Sequence, residues 1–311
     1  AASDVYKRQA LIFSLIEYLR GNILGGFPWN LISFSLVEIN EFIQILSYVG
    51  TYSLNLLVVT IFLVPAVILF NVPTKAKLIT VLLTVTLIIS NLIFGNLVLN
   101  KHNNTPNSPM NTIVKIISPK IDLKRFFDGT DPSLVIKDLA EIGNIDSRDA
   151  LYIYPEGILP SINLNEIQDY SSVFENYFQN NHKIIVGINR NKETEIFNSM
   201  ALLDNNLRLI SVYDKNKLVP FGEYLPFENF LKNYGFKKIT QGYQSFSSAS
   251  ERDLIKMNDT KFLPLICYEI IYSGGLYKYS DNYDFIINIS EDGWFGKSIG
   301  IDQHFYHSIF R

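Results

Sequence analysis

The chain has 311 residues, of which 48% are hydrophobic, and a formal net charge of −3. That balance excludes the clustered basic surface that nucleic-acid binding needs. A single cysteine, Cys267, excludes an internal disulfide.

In chain order, residues 1–9 are polar and lack the apolar core of a signal peptide. They are set aside as extraneous to the fold, a short loop being the plainer alternative. Residues 10–40 are largely apolar but carry Glu17 and Arg20. A helix places these two charges on one face, where they can pair. Residues 10–20 read as the end of a membrane span. Gly25, Phe27, Pro28, Trp29 and Asn30 read as a turn with an aromatic anchor at the bilayer interface.

No charged residue occurs between positions 42 and 74, or between 78 and 100. A spanning helix takes about 20 mostly apolar residues. One span is expected near 52–70, kinked at Pro65 as membrane helices tolerate, and another near 78–99. The competing reading is a buried helical core in a soluble protein. Lys75 and Lys77 lie in the short link between the two stretches, which places that link on the cytoplasmic side. Everything after Asn100 then lies on the opposite face, the periplasm of a two-membrane bacterium.

Residues 101–311 carry most of the charge and read as strands alternating with helices. Strands are expected at 112–117, 151–154, 184–188, 199–203, 207–213, 262–266 and 285–289. Asp204, Asn205 and Asn206 predict a turn that makes one pair a hairpin. Helices are expected at 134–142 and 165–179. The domain division is therefore 1–100, a transmembrane region, and 101–311, an α/β domain of ordinary size. Residues 226–238 mix five aromatic or leucine side chains with three lysines. They read as a surface helix or as an amphipathic lid on the bilayer.

Three polar residues follow apolar strand-like runs: Glu156, Lys215 and Cys267. The ends of strands are where α/β sheets place their sites. A cysteine becomes a nucleophile when a cation lowers its pKa and a base accepts its proton. A lysine can hold the oxyanion that forms when a thiol attacks an acyl carbon. The trio thus suits acyl transfer through a thioester. His304 and His307 share a helix face with Asp302 but form no convincing metal set, and no metal or other cofactor is expected.

Glu, Lys and Cys in this order resemble the nitrilase, or carbon–nitrogen hydrolase, superfamily. The wider set resembles the apolipoprotein N-acyltransferases. It comprises Glu17, Arg20 and Trp29, then Tyr154-Pro155-Glu156 and Asp214-Lys215-Asn216. It continues with Val219-Pro220-Phe221-Gly222-Glu223, Cys267-Tyr268-Glu269, Asp292-Gly293-Trp294-Phe295-Gly296 and Gln303-His304. The resemblance implies an α-helical transmembrane region followed by an α/β nitrilase-like αββα sandwich. It implies that Cys267 is the nucleophile, Glu156 the general base and Lys215 the oxyanion-stabilising group. Glu223, Tyr268, Glu269 and Trp294 are implied to bind substrate or support the site. Phe127 is the nearest match to an aromatic position where the family often has tryptophan. The implied reaction is N-acylation of the N-terminal S-diacylglyceryl-cysteine of apolipoproteins, with a phospholipid, phosphatidylethanolamine by resemblance, as acyl donor. The implied partners are that phospholipid, the diacylated apolipoprotein and the bilayer of a bacterial inner membrane, with no nucleic acid. The family continues beyond both ends of this sequence, so the chain is expected to be a fragment. A membrane-anchored amidase and a non-catalytic lipoprotein-binding scaffold are the alternatives.

Overall fold

The computed structural model describes residues 2–23, 25–69, 71, 73–104, 112–119, 123–126, 129, 131–227, 234, 245–274 and 283–311. They form two compact units. Most of residues 226–238 and all of Phe127 lie outside the described residues.

The first unit holds residues 1–108, 271–275 and 302–311. Helix α1 (Ala2–Asn22) runs through residues set aside from the sequence, because Lys7, Arg8, Gln9 and Ala10 are good helix formers and continue the pattern. Glu17 and Arg20 do pair on one face of it, and Arg20 also caps the following turn through the carbonyls of Phe27 and Trp29. Two short helices, α2 (Asn40–Ile43) and α3 (Leu46–Val49), precede α4 (Thr51–Phe62) and α5 (Val64–Leu69). The expected first span is thus interrupted at Leu63, where Pro65 removes a backbone donor. Helix α6 (Thr74–Asn103) is continuous. The stretch 51–69 and helix α6 are each long and apolar enough to cross a membrane. Along α6, Leu78, Leu82, Leu83, Ile93 and Leu97 are all more than half exposed. Asn91 and Gly95 are its buried positions, and Asn91 Nδ2 donates to the Phe42 carbonyl at 2.9 Å. The C-terminal part of α9 (Gly300–Ile309) joins this unit, where Phe310 and His307 pack edge-on against Phe34.

The second unit holds residues 109–270 and 276–301. Its larger sheet has five strands in sequence order: β1 (Ile113–Ile116), β2 (Ala150–Ile153), β3 (His182–Lys192), β4 (Glu195–Asp204) and β5 (Leu209–Asp214). Strands β1 to β3 are parallel, and β3, β4 and β5 are antiparallel. A smaller sheet pairs β6 (Ile255–Met257) antiparallel with β7 (Thr260–Ile266), and β7 parallel with β8 (Phe285–Ile289).

Side chains alternate between the faces of a strand, and that alternation builds two cores. Ala150, Tyr152, Ile184, Val186, Ala201 and Leu203 face α7 (Pro132–Ile142) and α8 (Ser171–Glu175). Leu151, Ile153, Ile185, Met200 and Leu202 face Ile255, Met257, Phe262, Ile266, Ile287 and Ile289 of the second sheet. Strand β2 is therefore buried on both sides, which is why it reads as a solid apolar run. Helix α7 starts at Asp131, which accepts the Ser133 N–H, with Pro132 in the first turn. It buries Val135, Ile136, Leu139 and Ala140.

The seven expected strands all form, with β3 and β4 extended into a long hairpin. Two local expectations fail. The 165–179 helix is a 3-10 segment, Leu164–Tyr170, followed by the single turn of α8, because Asn163 and Glu166 form a reciprocal capping box that sets its own geometry. Strand β6 was not expected. It has three residues, too few to show a period, and exists only by pairing with β7.

Candidate active site

Glu156 follows β2 after Pro155. The chain there lies directly against β3: a Cβ on Gly187 would sit 2.4 Å from the Glu156 Cα. The Gly187 N–H donates to the Pro155 carbonyl at 3.2 Å, and the Ile158 N–H to the Gly187 carbonyl at 3.2 Å. Only glycine permits this approach. The Glu156 side chain points inward. Its Oε1 accepts Asn198 Nδ2 at 2.7 Å, and its Oε2 accepts the Glu291 N–H at 3.2 Å.

Lys215 is the first residue after β5. Its backbone continues the β4 ladder, donating to the Asn198 carbonyl at 2.8 Å. Its side chain is 1% exposed. Nζ donates to Glu223 Oε1 at 2.9 Å and lies 3.5 Å from Glu156 Oε1. Burial by itself would discharge the ammonium, but the charges of Glu223 and Glu156 outweigh it and hold its pKa above the usual lysine value. Glu223 is fixed by its second oxygen, which accepts the Val219 N–H at 2.8 Å.

Cys267 stands where β7 ends, with φ +52°, in the left-handed region. A non-glycine residue held there stores about 1–3 kcal/mol. Burial raises the thiol pKa well above its ordinary value. The Glu156 charge adds to the rise, while Lys215 and a hydrogen bond with the Ser290 side chain oppose it. Glu156 and Lys215, 3.5 Å apart, thus act on the Cys267 thiol with opposite electrostatic effects.

Glu269, 1% exposed, lies two residues further on. Its Oε1 accepts Tyr213 Oη at 2.6 Å, the N–H groups of Asn216 and Lys217 at 3.1 and 3.0 Å, and Arg252 Nη2 at 2.9 Å. It therefore faces the protein interior. Tyr268 is buried at 6% exposure. Trp294 is half exposed, and its ring meets that of Phe126 at 5.2 Å. Phe126 in turn covers Gly157, next to Glu156: a Cβ on Gly157 would lie 2.9 Å from its ring. Phe126 is thus an aromatic group beside Glu156; Phe127, singled out from sequence, lies outside the described residues.

Sequence reasoning gave no role to Asn198, Ser290, Tyr213 or Arg252, although Ser290 and Tyr213 open two of the segments it singled out. Asn198 had a visible signal, a polar amide inside the apolar run 196–203. The others become informative only once β5, β7 and β8 are adjacent. His304 and His307 are packing residues: both rings lie against Trp29, and Gln303 Oε1 accepts Trp29 Nε1 at 2.9 Å.

Residues 8–64 match the family model described as apolipoprotein N-acyltransferase N-terminal domain, and residues 173–309 match that described as carbon-nitrogen hydrolase. The chain is 29% identical over 315 residues to the apolipoprotein N-acyltransferase of Rhizobium meliloti (strain 1021), covering 97% of this chain and 58% of that protein. It is 30% identical over 314 residues to that of Rhizobium leguminosarum bv. trifolii (strain WSM2304), covering 96% and 58%. The solved carbon-nitrogen hydrolase from Helicobacter pylori G27 aligns with 64% of this chain and 68% of its own, at 11% identity and a TM-score of 0.41. The chain thus spans 58% of the length of these curated relatives. It matches, in order, the apolipoprotein N-acyltransferase N-terminal domain and the carbon-nitrogen hydrolase family, and is similar along 97% of its residues to the apolipoprotein N-acyltransferase of Rhizobium meliloti.

Proposed function

We propose that this protein N-acylates the N-terminal S-diacylglyceryl-cysteine of apolipoproteins, taking the acyl group from a phospholipid through a thioester on Cys267. The observation that supports the reading most is a buried lysine shared by two carboxylates, one of them Glu156, with Cys267 held at a left-handed strand end where Glu156 and Lys215 both act on its thiol.

The chemistry follows from these positions. Glu156 takes the thiol proton as sulfur attacks the ester carbonyl. Lys215, kept charged by Glu223 and Glu156, faces the developing oxyanion. Collapse breaks the ester C–O bond, and the proton on Glu156 passes to the leaving lysophospholipid. The α-amino group of the acceptor then attacks the thioester. Its proton passes by way of Glu156 to the departing thiolate, which restores the enzyme. Excluding water from the thioester favours aminolysis over hydrolysis.

In this reading residues 1–100 form a transmembrane region of a bacterial inner membrane and residues 101–311 a periplasmic catalytic domain, an αββα sandwich. The exposed leucines and isoleucines of α6 support it, since a water-facing surface rarely carries so long an apolar face. The positions of Lys75 and Lys77 support a cytoplasmic link. Phosphatidylethanolamine is the proposed donor.

The test is to incubate the membrane-inserted protein, extended to the full length of its relatives, with phosphatidylethanolamine and a diacylated lipopeptide. Mass spectrometry should find an acyl adduct on Cys267 and an N-acylated lipopeptide. Released fatty acid without N-acylation would make it a hydrolase, and no adduct at all would reduce it to a lipoprotein-binding scaffold.

A further inference from the structure

Asn198 sits in β4, next to Ser199, and its neutral amide bridges two acidic residues of the site. Its Nδ2 donates to Glu156 Oε1 at 2.7 Å and to Glu223 Oε1 at 2.9 Å. The same two oxygens are the ones that approach Lys215 Nζ. Two acceptors from different loops therefore share two donors, one charged and one neutral. The amide orientation is forced, because only the nitrogen side of an asparagine can donate to carboxylates. The Asn198 backbone carbonyl also accepts the Lys215 N–H. One residue thus contacts the proposed base, the proposed oxyanion group and the glutamate that holds that group.

The charged groups around it are few. Glu156 comes from the end of β2, Lys215 from the end of β5, Glu223 from the loop after it, and Cys267 from the end of β7. On the opposite face of β4, Ser199 Oγ donates to Asp214, which pairs with Arg190 at 2.9 Å. Among the described residues, the charged side chains that Asn198 links are therefore the Glu156 and Glu223 carboxylates and, through them, the Lys215 ammonium, while the Glu269–Arg252 pair lies further along the same face on Tyr213. Like charges this close destabilise one another unless donors stand between them. Lys215 supplies one such donor, but it also has to serve the oxyanion.

We infer that Asn198 is a positioning residue for the reaction: it holds the Glu156 side chain apart from Glu223 and aimed, so that Lys215 is free to serve the oxyanion. This rests on the reading of Glu156, Lys215 and Cys267 given above. It assigns Asn198 no contact with substrate. Its effect runs through the readiness of Glu156 to take the Cys267 proton, which can be read without any lipid.

The experiment is the pH profile of Cys267 alkylation by iodoacetamide in the membrane-inserted protein. In that step the thiol proton goes to Glu156, sulfur bonds to the reagent carbon, and iodide leaves. Asn198→Asp keeps the shape and removes the donor, and Asn198→Leu removes the donor without adding charge. Both should slow alkylation at pH 7 about 10-fold and move the acidic edge of the profile upward, by the size of effect that a charged neighbour exerts. Asn198→Ser, which keeps a donor, should fall between. In turnover the loss should appear in kcat with KM little changed. Folded variants with the wild-type alkylation profile would overturn the inference, even if N-acylation is confirmed. Loss of folding in all three would also overturn it, since Asn198 would then be a structural residue. The expected profile shift in a protein that fails to N-acylate would leave the inference standing and remove only the lipid substrate.

Discussion

The Glu269 carboxylate reaches back along its own turn to accept the Ile266 N–H at 2.9 Å, pinning the residue that precedes Cys267. Its other oxygen gathers donors from Tyr213, Asn216, Lys217 and Arg252. One buried carboxylate thus ties the end of β7, which carries Cys267, to the end of β5, which carries Lys215.

Glu269→Gln should therefore be costly although it touches no reacting atom. It leaves Arg252, 8% exposed, without its counter-ion and turns an amide toward other donors. Breaking such a pair costs about 3–5 kcal/mol. Thermal melts should show a large loss of stability, together with reduced Cys267 alkylation. An unchanged melting temperature would show that Glu269 does not hold the two loops together.

Lys215→Met should slow alkylation of Cys267 at neutral pH, because the lysine charge is one of the two influences that lower the thiol pKa. It should also change stability in a defined pH window. A lysine pKa raised by folding contributes stability that is present below its unfolded value and lost as pH rises through the folded value. The wild type should thus exceed the variant through the neutral range, with the gap closing only at strongly alkaline pH. Denaturant titrations at pH 7 and above 10 check this. A gap that widens with alkali would reverse the assignment.

Gly187→Ala places a methyl group against the backbone of Pro155 and Glu156. The loop has to shift, and a displacement of about 1 Å at a catalytic group costs about 100-fold in rate. Activity should fall by that order, while the apolar core on either side of β3 stays intact. Wild-type turnover would mean that the loop position is not critical.

His307 provides a pH test of the other unit. Its two ring nitrogens are buried without hydrogen-bond partners, and burial, with Arg311 and His304 adding, lowers its pKa to about 3. A group whose pKa is lowered by folding contributes stability that is present above its unfolded value, about 6.5, and lost as pH falls toward 3. Stability should therefore decline between these limits. His307→Phe, whose ring suits the packing against Trp29 and Phe34, should flatten that decline. A decline equally steep in the variant would assign it to other groups.

Much of the second unit was legible in the amino-acid order because its strands are buried on one or both faces. Residues 151–154, 262–266 and 285–289 are apolar runs bounded by polar ones, and burial requires them to be so. The 42–74 and 78–100 stretches were legible for the same reason, since charge is excluded from them. Glu156, Lys215 and Cys267 stood out as polar residues following such runs.

The sequence by itself determined which segments form strands and long helices, and which three residues are chemically fit to act together. Those properties depend on residue type and local period, which pairing cannot change. Only the tertiary structure decided that Asn198 joins Glu156 to Glu223, that Glu269 faces inward, and that Phe126 covers Gly157. It also decided that residues 255–257 form a strand at all, by pairing with β7. The first three are set by partners tens of residues away in sequence. A hydrogen bond or a close approach belongs to the pair that makes it, so neither residue carries its mark alone.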